Sequence, residues 1–347
     1  MKKIFIVFVL MITVLSGCAA SPSVEPTEKP VSDNSYFEVH YIDVGQADAA
    51  LVLCDDAAML IDGGNVADSS LIAAYLKKLD IDYLDYVVCT HAHEDHVGGL
   101  SGALSVAKAG AAYAPKTEAD TKAYQNFKSK VAEQGLQIQH PTHGSSINLG
   151  SSTVQFLGPI TENTDDLNNT SIILKITYGN TSFLFTGDAE REEEQDIINA
   201  GYDLSADVLK VGHHGSDSST SYVFLREVMP KYAVISVGTG NSYGHPTEEV
   251  LSRLRDADSQ VYRTDSQGDI IVKSDGEQIT VTTQKNADIQ TNPTTIAEPQ
   301  GYIGNINSKK FHRPDCNSLP AEKNRIYFSS RQEAVENGYS PCGNCQP

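Results

Sequence analysis

Basic charge is what this sequence is short of. Its 347 residues hold 26 Lys and Arg against 45 Asp and Glu, a formal net charge of −19. Such a chain stays soluble and has no bulk attraction to polyanions, which argues against tight, non-specific nucleic-acid binding. Long apolar runs are also missing. The one candidate, Ile4 to Leu15, is too short to cross a bilayer as a mature helix. There is no short-period repeat and no dominating low-complexity tract. The six cysteines are not placed as a disulfide framework. Cys54 and Cys89 stand in separate apolar runs and read as small buried hydrophobes, with a bond between them left open. What is present is 40% apolar residues, enough for a core, in a length that suits one large domain plus a small one or two of ordinary size. The charge is uneven: residues 301–347 hold six Lys and Arg and four Asp and Glu, about +2, which leaves about −21 for the rest.

Lys2 and Lys3 precede the Ile4–Leu15 run, the pattern of a signal peptide, which takes no part in the fold. The run ends in Leu15-Ser16-Gly17-Cys18, which resembles the lipobox of bacterial lipoproteins. That resemblance implies cleavage before Cys18 and diacylglycerol on its thiol. Two or more acyl chains anchor stably where one would not. An ordinary secreted precursor with a stray cysteine is the plainer reading, but the small residues before Cys18 and Ala19-Ala20-Ser21-Pro22 after it favour the lipoprotein. Residues 1–18 are thus expected to be a lipoprotein signal peptide, with the protein extracytoplasmic and lipid-anchored to the cell membrane. Residues 19–35, dominated by Pro, Ser, Glu and Thr, read as a disordered tether.

From Phe37 short apolar strands alternate with amphipathic helices. "FEVHYIDVG", "AALVLC" and "AMLIDGG" read as strands, "SSLIAAYLKKL" as a helix behind a serine cap, and "LDYVVCTH" as a buried strand. "VGGLSGALSVAKAG" reads as a helix, and "KAYQNFKSKVAEQGL" as another, ended by Gly135. A second set opens with the strand "STVQFLG" and a hairpin turning at Gly179-Asn180. Helices at Glu190–Asn199, Ser221–Val228 and "EEVLSRLRDA" then alternate with "DVLKVG" and "YAVISVG", and "QVYRT", "DIIVKS" and "QITVTT" finish that set. Two such sets predict two packed sheets with helices outside. Residues 284–301 carry no apolar period and read as a linker.

The stretch "THAHEDHVGGL" carries the chemistry. His91, His93, Asp95 and His96 fall within six residues at the end of a strand, where the loop into the next helix can turn several side chains inward. Imidazole and carboxylate suit Zn, Mn or Fe. Four such ligands in so short a span cannot all serve one ion with good geometry. Two ions can share the loop, His91 and His93 on one and Asp95 and His96 on the other. Gly98 and Gly99 let the backbone pass close by.

These residues resemble the metallo-β-lactamase superfamily over roughly residues 36–283, and within it the hydrolase domain of ComEC-type competence proteins. "HYIDVGQADAALV", "LIDGG", "THAHEDHVGGL", "NNTSIIL", "FLFTGDAE", "LKVGHHGS" and "SYGHPTEEVL" carry the likeness, in order. The resemblance implies an α/β fold of four layers, αββα, with a small C-terminal zinc-binding domain. It makes Asp188 a carboxylate bridging two cations, although a helix cap is the plainer role for an Asp after a buried strand. It makes His213 the last histidine ligand and His214 its neighbour in contact with ligands or phosphate, where a satisfied surface histidine is the bland alternative. Asp62 is expected to hydrogen-bond the metal loop. Many members supply a further histidine before the Asp188 position. Here His140 and His143 lie in what reads as a loop, and Asn168 offers an amide oxygen, a weaker ligand or a substrate contact. His245 is placed to hydrogen-bond substrate or protonate a leaving group, unless it is only a turn residue. Asp95, His214 and His245 are the residues expected to act in catalysis.

Near the C-terminus, His312-x3-Cys316 and Cys342-x2-Cys345 make a closed tetrahedral site for one structural zinc, and a 46-residue piece with little apolar mass needs such a staple. Free thiols or a Cys342–Cys345 disulfide are the alternatives. Residues 302–347 resemble the zinc domain of Ada-type DNA-repair proteins. In that family the first ligand is a methyl-accepting cysteine. His312 stands there in this sequence, so only the zinc scaffold carries over. Lys309, Lys310, Arg313 and Arg325 suit a weak contact to DNA phosphate, and equally a solvated basic face.

The expected function is hydrolysis with two divalent metals, Zn or Mn, by attack of a metal-bridging hydroxide. Phosphodiesters lead, and extracellular DNA is the substrate class that the competence resemblance implies. The alternatives are a phosphorylcholine or cell-wall phosphodiester esterase, or a non-catalytic DNA-capture lipoprotein.

Overall fold

A computed structural model describes residues 36–161, 166–293, 301–314, 316–345 and 347. The signal peptide, Cys18 and the tether expected at 19–35 lie outside the described residues, as does most of the second half of the expected linker. No helix among the described residues is long and apolar enough to cross a membrane.

Two mixed sheets lie face to face. The first runs Ile279–Thr283, Ile270–Ser274, Phe37–Tyr41, Ala50–Cys54, Ala57–Ile61, Tyr83–Val88, Lys108–Tyr113, Ile138–Gln139. The second runs Gln260–Arg263, Tyr232–Ile235, Val208–Lys210, Thr181–Phe185, Ile173–Tyr178, Ser152–Gly158, Ser146–Leu149. Three apolar clusters account for four layers. Between the sheets, Phe37, Val39, Tyr41, Phe156, Ile176, Phe183 and Phe185 interdigitate from both inner faces. The other face of the first sheet is covered by Ile72 and Leu76, by Leu100 and Leu104, and by Tyr124 and Phe127, from the helices Ser69–Lys78, Leu100–Val106 and Lys122–Glu133. The other face of the second is covered by Ile197, Phe224, Leu225, Val250 and Leu254, from Arg191–Asn199, Tyr222–Val228 and Glu248–Asp256. Side chains alternate across each strand, so one strand feeds two of these clusters. The fold is the four-layer αββα arrangement.

Three readings of the sequence change. "AKAG" leaves the helix, which ends at Val106, and enters the strand Lys108–Tyr113, parallel to Tyr83–Val88. "SINL", read as loop, is a strand antiparallel to Ser152–Gly158. The strands Ile270–Ser274 and Ile279–Thr283 belong to the first sheet, where Ile270–Ser274 pairs with Phe37–Tyr41. Each change follows from pairing between distant segments, which overrides local propensity. Cys54 and Cys89 are both free and buried. The described part of the linker is not loose: Asn292 Nδ2 donates to Leu251 O at 3.0 Å, and Arg255 Nη1 to Asn292 Oδ1 at 2.6 Å.

The C-terminal residues form a separate four-stranded sheet, Arg325–Phe328, Tyr302–Asn305, Lys310–His312, Ser340–Pro341. Among the described residues its apolar core is the cluster of Tyr302, Phe311, Phe328, Ala334 and Tyr339, with Ile303 also buried.

Candidate metal centre

The site is built where strands end. Ala57–Ile61 delivers Asp62, Tyr83–Val88 delivers the loop from Thr90 to His96, Thr181–Phe185 delivers Asp188, and Val208–Lys210 delivers His213 and His214. Ligand sites of α/β sheets form at the carboxyl ends of strands in this way. The loop is packed on backbone. A Cβ at Gly98 would lie 2.3 Å from Val66 N, and one at Gly99 1.9 Å from Gly63 O, so no other residue fits either position. Asp62 fastens the loop: Oδ1 accepts from Thr90 N at 2.8 Å, and Oδ2 accepts from Thr90 Oγ1 at 2.7 Å and faces His96 Nδ1 at 2.8 Å.

Asp188 lies at the centre, 2% exposed. Its Oδ1 is 3.2 Å from His96 Nε2, and its Oδ2 is 3.6 Å from His214 Nε2, 3.7 Å from His213 Nε2 and 4.0 Å from His91 Nε2. His214 Nε2 also lies 3.3 Å from Asp95 Oδ2. Donor atoms of Asp95, His96, Asp188 and His214 all fall within 4.8 Å of one another. His91 Nε2 meets His93 Nδ1 at 3.0 Å on the other side. The buried atoms His96 Nε2, Asp188 Oδ1 and His214 Nε2 have no hydrogen-bond partner. Orphaned donors and acceptors that converge at these distances fit a divalent cation.

The electrostatics agree. Burial opposes charge on His96, but the Asp188 and Asp62 carboxylates override it and hold the imidazole well above its usual range. Burial likewise opposes charge on His214, while Asp188 and Asp48 raise it to about 10. Burial and the neighbouring His96 keep His91 well below the usual range, a neutral ligand. The carboxylates therefore draw positive charge into the centre, and a metal satisfies the same field while displacing the protons.

Above the centre is an open cavity of about 600 Å³. Gln46, Asn65, His93, Asn168, Tyr243 and His245 are among its lining residues. Asn241 shapes the rim: its Oδ1 accepts from Tyr243 N and His245 N at 3.1 Å each. The Tyr243 ring stacks on His245 at 5.6 Å and is 71% exposed.

This fold and this donor set coincide with a family match. Residues 42–239 match the Metallo-beta-lactamase superfamily. The chain belongs to that superfamily. One relative, ComE operon protein 3 of Bacillus subtilis (strain 168), is 33% identical over 255 residues, covering 68% of this chain and 33% of that protein. Competence protein ComA of Neisseria gonorrhoeae is 33% identical over 228 residues, covering 65% of this chain and 30% of that one. The chain spans about a third of the length of these curated relatives. The solved metallo-beta-lactamase fold protein YhfI of Bacillus subtilis matches 69% of this chain and all of its own at 14% identity, with a TM-score of 0.48. Residues 289–347 match the metal binding domain of Ada. The protein thus joins a domain of the metallo-β-lactamase superfamily, similar to competence proteins, to an Ada-like metal-binding domain.

The metallo-β-lactamase site departs from the sequence reading at adjacent residues. The reading gave the last ligand position to His213, and the structure brings His214 into the group with Asp95, His96 and Asp188. His213 stands farther out, 3.7 Å from Asp188, with Nδ1 3.2 Å from Glu190 Oε1. Asn168 turns its amide nitrogen to Glu190 Oε1 at 3.3 Å, and its buried Oδ1 has no partner. His140 and His143 are not at the site: their Nδ1 atoms meet Ala114 O at 2.9 Å and the Tyr202 hydroxyl at 2.8 Å. Asp48, Lys210, Glu190 and Tyr243 were given no role in advance. Asp48 and Lys210 lie inside the quoted strings "HYIDVGQADAALV" and "LKVGHHGS", the available signal for them.

In the C-terminal domain, donor atoms of His312, Cys316, Cys342 and Cys345 lie within 4.8 Å of one another. The backbone amides of Ser318 and Asn344 donate to the sulfurs of Cys316 and Cys342 at 3.5 and 3.4 Å. Amides of Cys345 and Asn344 lower the Cys342 thiol to about 7, toward the thiolate that zinc binds. This donor set fits a structural zinc.

Proposed function

We propose that this protein is a dinuclear phosphodiesterase, a nuclease for DNA outside the cell, held at the membrane by lipid on Cys18. The observation that carries the reading is Asp188, whose two oxygens face His96 on one side and His91, His213 and His214 on the other beneath an open cavity. On this reading His91 and His93 serve one cation, Asp95, His96 and His214 the other, and Asp188 both. Zn or Mn there would supply Lewis acidity and ionise water at neutral pH. The chain's own residues do the rest. Asp62 and Asp48 orient His96 and His214 through their Nδ1 atoms. Burial, then His213 and His214, keep His245 below its usual range, so the ring is neutral at the rim and placed to hydrogen-bond a substrate oxygen. An anionic phosphodiester reaches this acidic protein only where cations offset its charge.

Competence relatives make DNA the leading substrate class, a step taken by analogy. Residues 1–18 would direct export, residues 19–35 tether residues 36–283, and residues 302–347 with one zinc hold or present the strand. The test incubates residues 36–347 with labelled single- and double-stranded DNA and Mn or Zn, beside Asp188→Asn. Cleavage that the substitution abolishes supports the reading. Metal-loaded protein that leaves both DNAs intact overturns it and turns attention to cell-wall phosphodiesters.

A further inference from the structure

The cavity above Asp188 is open, yet it offers a phosphate strand no basic side chain. The described residues that line it include no Lys or Arg, whereas Glu94, Asp95 and Asp188 are acidic. Arg191 and Arg253 reach the loop after His214 but are engaged with its backbone. Nη2 of Arg191 donates to Asp217 O at 2.6 Å, and Nη1 of Arg253 donates to Ser219 O at 2.9 Å. Proteins that grip a strand by its phosphates do so with Lys and Arg. Here a phosphate is neutralised only at the metal centre, so the rest of the substrate is held by uncharged contacts. We infer that the cavity takes a single nucleotide, its phosphate at the metal centre and its base flat on the open face of Tyr243. The inference rests on the proposed phosphodiesterase reading and names the part of the substrate that the chain itself recognises.

A row of rings leads from the centre to the rim. His213 and His245 meet edge to face with centroids 5.7 Å apart, and Tyr243 stacks on His245 at 5.6 Å and 27°. Tyr243 is 71% exposed, so the face turned away from His245 is open. A base is joined to its phosphate through one sugar, and Tyr243 stands one ring beyond the ring that meets His213. The backbone beneath is fixed. Asn241 Oδ1 accepts from Tyr243 N and His245 N, and its Nδ2 donates to His245 O at 2.6 Å and to Gly238 O at 3.0 Å. A ring held this firmly while burying so little of its surface contributes little to the core. Pre-positioned and open on one face, it has what base stacking requires.

Two lining atoms lack a partner. Asn168 Oδ1 and His245 Nδ1 are buried and make no hydrogen bond. The Asn168 oxygen can only accept, so it calls for an N–H or O–H and disfavours an anionic oxygen. The oxygens of a phosphodiester carry no proton. A nucleoside supplies one from a sugar hydroxyl or a base amine.

Binding, not turnover, tests this. The full chain in detergent, loaded with Mn, is titrated calorimetrically with thymidine 5′-monophosphate and with methyl phosphate, phosphate monoesters that differ in the nucleoside. We expect thymidine 5′-monophosphate to bind about 10-fold more tightly. That ratio should hold between about 50 and 200 mM salt, because stacking is not screened. Tyr243→Ala, with its thermal transition retained, should bind the two alike, while Tyr243→Phe keeps the preference. Equal affinities in the unsubstituted protein, or no measurable binding of either compound, overturn the inference. So does a preference that salt removes, that Tyr243→Ala retains, or that Tyr243→Phe loses. A Tyr243-dependent preference in a protein that cuts no DNA supports the inference and sinks only the nuclease reading. DNA cleavage by a protein without the preference does the reverse.

Discussion

Lys210 Nζ stands 2.7 Å from Asp48 Oδ2, and both side chains are buried. The other Asp48 oxygen faces His214 Nδ1 at 3.2 Å. Burial alone would raise the Asp48 carboxyl, but Lys210 and His214 more than offset it and hold it at about 2. Lys210→Met should leave a buried carboxylate unpaired and cost about 3–5 kcal/mol in urea unfolding. Lys210→Met combined with Asp48→Asn should recover most of that loss. Equal destabilisation of the single and double variants would show that the pair contributes nothing through its charge.

Glu193 gives a pH dependence away from the metals. Burial pushes its carboxyl from about 4.5 up to about 7, against hydrogen bonds from Ile160 N and Thr161 N. The folded state binds the proton more tightly than the unfolded chain, so ionisation of Glu193 costs stability. That cost is absent below the unfolded value, grows as pH rises through the interval, and is complete above the folded value. Glu193→Gln should therefore stabilise by about 2–3 kcal/mol at alkaline pH and by nothing in mild acid. Urea titrations at both ends check the sign.

The C-terminal domain should depend on its metal. The cluster of Tyr302, Phe311, Phe328, Ala334 and Tyr339, with buried Ile303, is too small a core to fold 46 residues alone. Cys342→Ser should expose residues 302–347 to protease while residues 36–283 stay resistant. Peptide mass mapping reads this directly, and an intact C-terminal domain would refute the structural role of zinc.

Tyr243 stands exposed on the cavity rim, its ring stacked on His245. Aromatic stacking under a nucleobase contributes about 1–3 kcal/mol. On the proposed nuclease reading, Tyr243→Ala should raise KM for single-stranded DNA roughly 10-fold or more with a smaller change in kcat, and Tyr243→Phe should restore it. Equal loss in both variants would assign the role to the hydroxyl instead.

Much of this was legible in the chain. The run from His91 to His96 places its donors at a strand end by spacing alone, and Asp62 was assigned to the loop it holds. The paired strands about Gly179-Asn180 were legible because a tight hairpin is a local event. Strands with distant partners were not. Ile270–Ser274 follows the second sheet in sequence yet pairs with Phe37–Tyr41 in the first. "AKAG" has helical composition and becomes a strand because Tyr83–Val88 offers it a parallel edge.

Residue types and their order were enough to call for cations, for zinc at His312, Cys316, Cys342 and Cys345, and for the layered fold, since ligand chemistry and apolar periodicity are local properties. They could not tell His213 from His214. Identical neighbours differ only in the direction their rings take, and that depends on two left-handed backbone turns and on which carboxylate waits behind each ring. The same holds for Lys210 and Asp48, 162 positions apart, which become a pair only when Val208–Lys210 and the segment after Phe37–Tyr41 meet across the two sheets.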